Sequence, residues 1–356
     1  MTRQDNNNKV NSAFAKIKNV LLLLLMGIGS SPAQDIQFSQ FYANLLYLNP
    51  AFAGSAHSSR AIFHQRLQWM HLDAKYITTS FSLDHQFEKI NSGLGLLVLK
   101  DWQGANTISS TEAALQYAYE LNLSSQVSLR AGAEANYVSR YINYAYLTLP
   151  DQYSNNGFSG FQSQENFGNS KIQYVDFSAG AVLYTDHVWL GIASDHLTRP
   201  EQSFYNGGTS RLPLKMDITA GLKTYLQKKE ITAFGETGKE VTLTPTAHYK
   251  FQGKSDQVDL GIYGLYGAVM GGFWYRGIPL LKHYRLGLQN NESLVFLVGA
   301  KVQRLLVSYS YDFTISKLAR ATTGGSHELN LTYMWDYPKK KKMKPMKRLP
   351  CPDFFD

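Results

Sequence analysis

Apolar and polar residues alternate with a period of two along much of the chain. In TEAALQYAYEL, residues 111–121, the apolar positions include Leu115 and Tyr117, and Glu112 and Glu120 fall on the other set of positions. Successive side chains of a β-strand point to opposite faces, so this segment has one apolar and one polar face. The same alternation recurs in residues 127–137, 214–226, 307–313 and 328–335. The pattern predicts an all-β fold made of many similar strands.

The length and composition of these segments favour a membrane barrel over a soluble sheet. They extend for roughly 9–14 residues, whereas a strand of a soluble protein usually has about 5–6. Aromatic residues such as Tyr309, Tyr311 and Trp335 lie near strand ends, which is typical of the aromatic girdles of outer-membrane barrels. The polar faces carry charges such as Glu134 and Asp217, which suit a wet or internally paired lumen better than a sandwich core.

Strands cross a membrane only as a closed barrel, because every backbone polar group there needs a partner within the protein. We therefore predict a transmembrane outer-membrane β-barrel, and a soluble β-sandwich is the alternative.

We predict about fourteen antiparallel strands within a barrel of residues 59–336. An even number places both barrel termini at one end, which we expect to be periplasmic. The predicted strands are residues 59–69, 76–87, 93–101, 109–121, 126–141, 172–184, 187–195, 213–226, 240–250, 257–266, 268–276, 292–300, 304–313 and 327–335.

The longer links between these strands are expected to face outward, with residues 227–239 as the exception on the periplasmic side. The outward links are residues 143–171, 196–212, 277–291 and 314–326. The first of them is rich in Asn, Gln, Ser, Gly and Phe, and is either a mobile surface loop or a dedicated binding loop.

The N-terminus predicts a secretory signal peptide. Lys16 and Lys18 precede an apolar run at residues 20–29, and small residues follow up to Ala33. A cationic region, a short apolar region and a small-residue cleavage site are typical of such peptides. The apolar run is shorter than the roughly 20 residues of a spanning helix. We place the cut after Ala33, so the signal peptide is residues 1–33; a buried helix or a short anchor is the alternative.

The net charge of +8 is concentrated at the two ends of the chain. Residues 1–33 contribute +3 and residues 339–356 contribute +5, which leaves residues 34–338 neutral. A nucleic-acid-binding domain usually carries a basic face, so no nucleic-acid partner is expected. The chain has one cysteine, Cys351, which excludes an internal disulfide framework.

The segment QFSQFYANLLYLNPAFAGS, residues 37–55, lies within an N-terminal aromatic strap of residues 34–58. It is too aromatic for a free linker, and its proline argues against a central strand. We expect an irregular segment at the periplasmic mouth or in the lumen, which either plugs the barrel or contacts a partner. Gln40, Asn44 and Asn49 are expected to pair with backbone groups there. The candidate partner-binding residues of the strap are Phe38, Phe41, Tyr42, Tyr47, Asn49 and Pro50.

The tail, residues 337–356, carries seven Lys or Arg residues between positions 339 and 348. Such a run stays solvated, and near an anionic surface each charge gains roughly 1 kcal/mol. Outer-membrane lipid or an acidic partner is therefore expected, and a solvated tail without a partner is the alternative. The tail ends in Cys-Pro-x-Phe, and its candidate partner-binding residues are Cys351 and Phe354.

Several motifs occur together in a characteristic order. After the strap segment come RLQW, GGFWYRG, VSYSYDF, GSHELNL and PCPDFF, which start at Arg66, Gly271, Val307, Gly325 and Pro350. In these motifs the chain resembles the PorP/SprF family of outer-membrane proteins, which is associated with the type IX secretion system of Bacteroidetes. The resemblance covers essentially the whole chain after the signal peptide.

The resemblance implies a role in protein export and a link to gliding motility rather than catalysis. Members of the family support type IX secretion, some within the trans-envelope machine and others for one adhesin-like partner with a C-terminal targeting domain. We expect a barrel that receives or anchors such a partner. A passive porin or substrate-specific uptake channel is the alternative, and an outer-membrane hydrolase is a further one. The sequence contains no recognisable catalytic, metal-binding or phosphate-binding motif, so neither an enzyme activity nor a cofactor or metal is expected.

Overall fold

In the computed structural model the chain divides into two units, Met1–Asp35 and Ile36–Asp356. The strap and the barrel described below belong to the second unit. The structure describes residues 35–56, 58–104, 107–154, 157–160, 163–164, 168–205, 208–228, 230–232, 235–237, 240–277, 291–316 and 323–335. The predicted signal peptide and the basic tail lie outside the described residues.

The second unit is a closed antiparallel β-barrel of fourteen strands, which confirms the predicted fold class. Each strand pairs with its sequence neighbours, and the first strand pairs with the last from Ser59↔Trp335 to Gln68↔Ser326. The strands are β1 Ser59–Gln68, β2 Tyr76–Phe87, β3 Ser92–Gln103, β4 Ile108–Asn122, β5 Ser128–Ile142, β6 Lys171–Tyr184, β7 Val188–Asp195, β8 Lys215–Leu222 continued by Thr224–Gln227, β9 Val241–Gln252, β10 Ser255–Tyr266, β11 Val269–Gly277, β12 Asn291–Val302, β13 Leu305–Thr314 and β14 Ser326–Trp335.

Short elements occupy the links and the strap. Two small hairpins pair Tyr153–Ser154 with Gly157–Phe158 and Glu230–Thr232 with Gly235–Thr237. The helical turns are Phe41–Ala43, Leu45–Leu48, Pro50–Phe52, Glu88–Ile90, Tyr144–Tyr146 and Pro150–Gln152. Among the described residues, no helix is both long enough and apolar enough to span a membrane.

The strand predicted at residues 213–226 is divided in the structure. The register pairs of β8 with β9 stop at Gly221↔Thr246 and resume at Thr224↔Leu243. The cause is Pro245, which lies in the interior of β9 and has no backbone N–H to give to the ladder.

The two faces of the wall have the predicted polarity. On β4, the outward side chain of Leu115 is 67% exposed, whereas the inward side chain of its neighbour Gln116 is 2% exposed. Charged and hydroxyl side chains line the inside, and Leu, Val, Phe and Tyr side chains cover the outside. The apolar exterior is the surface that acyl chains solvate in an outer-membrane barrel.

The two ends of the barrel differ in their links. We call the end that holds Ser59 and Trp335 the near end and the opposite end the far end. The links after β5, β7, β11 and β13 lie at the far end, and the link between Gln227 and Val241 lies at the near end. The distribution of long links follows the sequence prediction, and the periplasmic position of the near end stays a prediction.

Candidate functional site

The strap passes through the interior of the barrel. Its backbone N–H groups at Ser39 and Gln40 donate to the carboxylate of Glu328, near the far end, at 2.6 and 2.9 Å. Fourteen residues further along, the N–H of Gly54 donates to the carboxylate of Asp84 at 2.8 Å. Asp84 lies close to the near end of the barrel. The strap therefore crosses much of the lumen before the chain enters β1.

Short helical turns shape the strap because its sequence breaks any longer helix. Asn49 adopts an extended conformation after the turn Leu45–Leu48, and its side chain accepts a hydrogen bond from the N–H of Ala51 at 2.9 Å. Pro50 then starts the next turn, where the missing N–H costs nothing. This arrangement presents Asn49 to the wall, and its amide donates to the carbonyls of Ala181 and Ile192 at 3.3 and 3.0 Å.

Glycines of the wall allow the strap to approach the strands closely. A Cβ at Gly93 would lie 2.0 Å from the carbonyl oxygen of Ala53, and one at Gly132 would lie 2.4 Å from the nitrogen of Ala51. A Cβ at Gly180 would lie 2.1 Å from the side-chain oxygen of Asn49. The strands that carry Gly93 and Gly132 therefore contact the backbone of the strap directly, and the strand that carries Gly180 contacts the side chain of Asn49.

Two arginines hold the strap in the far half of the lumen. Arg66 and Arg276 both donate to the hydroxyl of Ser39, at 2.7 and 2.9 Å, and both contact Asp312 at 3.1 Å. Ser39 in turn donates to Asp312, and Arg66 also pairs with Glu328. These side chains are buried, so each charge depends on its partners in this cluster.

Two further arginines hold the strap in the near half. Arg130 donates to the carbonyl oxygens of Ala51 and Ala53 at 3.1 and 2.6 Å and pairs with Glu120 at 2.5 Å. Arg60 pairs with Asp84 at 2.9 Å and donates to the hydroxyl of Ser55 at 3.2 Å. Carbonyl groups of the strap that have no helical partner are satisfied in this way.

An aromatic stack adds apolar contact between the strap and the wall. The ring of Tyr42 lies parallel to those of Tyr263 and Trp274, with centroids 5.2 and 5.4 Å apart. Phe41 contacts the ring of His248 at 5.1 Å. The strap is thus held by burial as well as by hydrogen bonds.

The structure places the strap residues that the sequence nominated for partner contact inside the lumen. Phe38, Phe41, Tyr42, Asn49 and Pro50 are buried there. Tyr47 is half-buried and donates to the carbonyl of Ile36 at 2.6 Å. Cys351 and Phe354 lie outside the described residues. Contact of these residues with a partner is untested and stays a prediction.

The expected pairing with backbone groups is found for Gln40 and Asn49, whereas Asn44 pairs with a side chain instead. Asn49 pairs with backbone carbonyls, Gln40 pairs with the carbonyl of Glu328 at 3.3 Å and with serine side chains, and Asn44 donates to the hydroxyl of Ser80 at 3.2 Å. Four of the wall residues that receive the strap, Arg66, Arg276, Asp312 and Glu328, lie in motifs quoted from the sequence, but nothing in those motifs indicated that they contact the strap. The signal for the others is a charge or a glycine on the polar face of a strand.

The far end carries exposed aromatic side chains on its links. Tyr146 and Tyr205 are 62% and 70% exposed, and Tyr153 and Phe158 pack against each other across the small hairpin at 5.6 Å. The link between β5 and β6 is ordered by Asp151, which accepts from the hydroxyl of Ser163 and the N–H of Gln164 at 2.8 Å. The hydrogen bond from Ser163 lowers the pKa of Asp151 below its ordinary value.

Within the described part of the chain, no group of three or more His, Cys, Asp or Glu side chains is arranged to hold a metal ion.

A protein-family model matches most of the chain. The model of the family described as type IX secretion system membrane protein PorP/SprF matches residues 30–333. No curated protein matches the chain.

Comparison with solved structures gives other outer-membrane barrels. The toluene transporter TbuX of Ralstonia pickettii is 10% identical, with a TM-score of 0.45, over 82% of this chain and 93% of that chain. A FadL homologue of Pseudomonas aeruginosa is 13% identical, with a TM-score of 0.39, over 82% of this chain and 94% of that chain. A porin variant of Rh. blastica is 8% identical, with a TM-score of 0.33, over 78% of this chain and 99% of that chain. These similarities concern the fold alone.

Proposed function

The chain belongs to the PorP/SprF family of type IX secretion system membrane proteins, and from this premise we propose that it is a non-catalytic barrel that supports export or surface attachment of a partner protein. The proposed partner is adhesin-like and carries a C-terminal targeting domain, and further contacts join the barrel to other secretion components. The near end faces the periplasm in this proposal, so the basic tail starts on that side and is available to lipid or to a periplasmic partner.

The observation that carries this proposal is the strap inside the lumen. A passive porin needs a continuous aqueous channel, whereas here residues 36–56 occupy the interior and are tied to the wall in both halves. A barrel filled in this way is suited to holding a partner at its rim. A solute channel would first require the strap to move.

The far-end links offer the docking surface in this proposal. Tyr and Phe side chains are enriched at protein–protein interfaces, and the links after β5 and β7 expose Tyr146, Tyr153, Phe158 and Tyr205. With the near end in the periplasm, this surface faces the cell exterior, where an attached protein would reside.

Gene deletion followed by proteomic analysis of the cell surface and medium tests the proposal. We expect the selective loss of one large secreted protein from the surface, and its return when the intact gene is supplied in trans. An unchanged surface profile together with impaired uptake of a small solute would refute the proposal and support the uptake channel instead.

A matched complementation separates the docking surface from the barrel itself. A variant with Tyr146, Tyr153 and Phe158 changed to Ser is expected to restore the barrel to the outer membrane without restoring the surface protein. Tyr117→Ser is the control, because it removes an exposed aromatic ring of the outer wall away from the far-end links, and it should restore both the barrel and the surface protein.

A further inference from the structure

Two lysine side chains interrupt the apolar outer wall of the barrel near its far end. On β3, Lys100 continues the outward series that contains Leu96 and Val98, and on β6, Lys171 begins the outward series that contains Val175. The outward positions of β3, β4, β5 and β6 carry no carboxylate. The outer face of these four strands therefore has an excess of positive charge.

The strand register brings the two lysines into one patch. Lys100, Thr111 and Ser139 lie side by side on β3, β4 and β5, and Trp102, Tyr141 and Lys171 lie in the next row toward the far end. We call these six residues the far-end lysine patch. Neighbouring strands are about 4.8 Å apart, so the backbones of the two lysines are separated by roughly 15 Å, with hydroxyl groups between them.

The ammonium group of Lys100 has only neutral partners on the wall. Its Nζ donates to the hydroxyl of Thr111 at 2.7 Å and lies 5.6 Å from the ring centre of Trp102. Among the described residues, no carboxylate forms an ion pair with Lys100 or Lys171, whereas Lys215 inside the lumen pairs with Asp195 at 2.8 Å. A negative charge that neutralises the patch must therefore come from outside the wall.

The patch lies at the level where lipid headgroups meet an outer-membrane barrel. The outward rings of Tyr137 and Tyr141 are 46% and 44% exposed, and aromatic side chains of this kind mark the membrane interface. Toward the middle of the wall the outward side chains are apolar, among them Val98, Leu115 and Val175. A lipid whose headgroup contacts the patch would therefore lay its acyl chains along an apolar surface.

From this arrangement we propose that the far-end lysine patch binds the phosphate-bearing headgroup of a membrane lipid. The phosphate oxygens accept from Lys100, Lys171 and the hydroxyls of Thr111 and Ser139. Lysine has a flexible four-carbon stem, so both ammonium groups can turn toward a headgroup that lies over the hydroxyls between them. The acyl chains cover the apolar wall below, a contact that free inorganic phosphate lacks.

Native mass spectrometry of the purified full-length mature protein in a neutral detergent tests this site with dioleoyl phosphatidate as the probe. The basic tail is also predicted to attract anionic lipid, so its seven Lys and Arg residues are replaced by Gln in every protein compared. We expect saturable binding of phosphatidate and much weaker binding of dioleoylglycerol, which has the same chains without the phosphate. The double variant Lys100→Gln, Lys171→Gln should weaken phosphatidate binding about tenfold or more, because two charges near the headgroup are lost.

The matched control is the double variant Lys89→Gln, Lys228→Gln. It removes the same charge from two exposed lysines at the near end and is expected to leave phosphatidate affinity unchanged. The double variant Lys100→Arg, Lys171→Arg keeps both charges and should retain binding. Heat-dependent gel mobility confirms that each variant is a folded barrel before measurement.

Three results would each overturn the site. They are equal binding of dioleoylglycerol, displacement of phosphatidate by inorganic phosphate, and equal effects of the far-end and near-end glutamine variants. The second result would mean that the patch is a site for a free anion rather than for a lipid. The export role is judged by the surface profile and does not depend on this experiment.

Discussion

At the residue scale, four buried arginines perform the same task. Arg60, Arg66, Arg130 and Arg276 each pair with a wall carboxylate and also donate to an oxygen of the strap. The planar guanidinium group has five donors in a fixed fork, so it can serve both partners at once. Lysine presents its three donors at a single point rather than in a fork, so arginine is better suited to contacts that lie on two sides of the group.

Replacement of Arg130 tests whether these arginines attach the strap to the wall. Arg130→Met removes two hydrogen bonds to strap carbonyls and leaves Glu120 buried without its partner, so we expect a loss of about 3–5 kcal/mol in unfolding free energy. Urea unfolding in detergent micelles, followed by tryptophan fluorescence, measures it. Arg140→Met is the control on the same strand, because Arg140 is half-buried at the far end and lies over the ring of Phe204 at 5.9 Å. A similar loss of unfolding free energy in both variants would contradict the role of Arg130 in attaching the strap.

A second test at this scale concerns the close approach at Gly132. Gly132→Ala introduces a Cβ at 2.4 Å from the strap backbone, so the strap must shift, and overpacking of this kind typically costs about 1–3 kcal/mol. We expect faster chymotrypsin cleavage after the strap aromatics, detected by mass spectrometry. Gly271→Ala is the control, since its Cβ would meet only the carbonyl of Leu297 at 3.9 Å. Unchanged cleavage in Gly132→Ala would mean that the wall, not the strap, gives way.

The contacts between the strap and the wall were not predictable from the sequence, although the charged residues and glycines that form them could be seen on the polar faces of the strands. Ser39 and Glu328 are 289 positions apart, and no local pattern indicates which charge on which strand a strap residue will meet. The polar face of each strand could be listed from alternation. The pairing across the lumen depends on strand order, register and the path of the strap together.

At the element scale, the alternation of apolar and polar residues predicts the strands. The strap lacks this alternation and was therefore recognised as a separate segment. Period-two alternation determines which side chains face lipid, so thirteen of the fourteen predicted strands appear as single strands in the structure. The strap has no alternation and contains Pro50, which excluded it from the wall. The sequence left open whether the strap plugs the barrel or contacts a partner, because either role needs a segment rich in aromatic residues.

Removal of the strap tests its role as an element. We expect the intact protein to give no large, steady pore in planar lipid bilayers, because the strap occupies the lumen. Deletion of residues 36–56 should produce steady single-channel conductance, because charged and hydroxyl side chains then line an open lumen. A large, steady pore in the intact protein would show that the strap does not block the lumen.

At the scale of the whole molecule, the barrel closes although the ladder between β8 and β9 lacks two register pairs. The pairs absent between β8 and β9 are Leu222–Pro245 and Lys223–Thr244, the two that depend on an N–H at position 245. The neighbouring ladder from β9 to β10 runs unbroken past Pro245↔Ile262, so the missing donor belongs to the β8 side. On its other side, β8 remains attached, because the N–H of Lys223 donates to the carbonyl of His187 at 2.7 Å. The sequence shows Pro245 within an alternating segment, but not which neighbouring strand loses the bond.

Restoring that donor should strengthen closure of the whole barrel. Pro245→Val supplies an N–H for the carbonyl of Leu222 and keeps an apolar side chain on the outer face, so we expect unfolding free energy to rise by about 0.5–1.5 kcal/mol. Backbone amides of residues 222–227 should also exchange with deuterium more slowly, because local opening at the seam requires this ladder to separate. Ile262→Val, at the cross-strand neighbour, trims an outer side chain without changing any backbone donor and should leave exchange at residues 222–227 unaltered. If Pro245→Val instead speeds exchange there, the missing N–H is not what weakens this ladder, and the proline itself stabilises the seam.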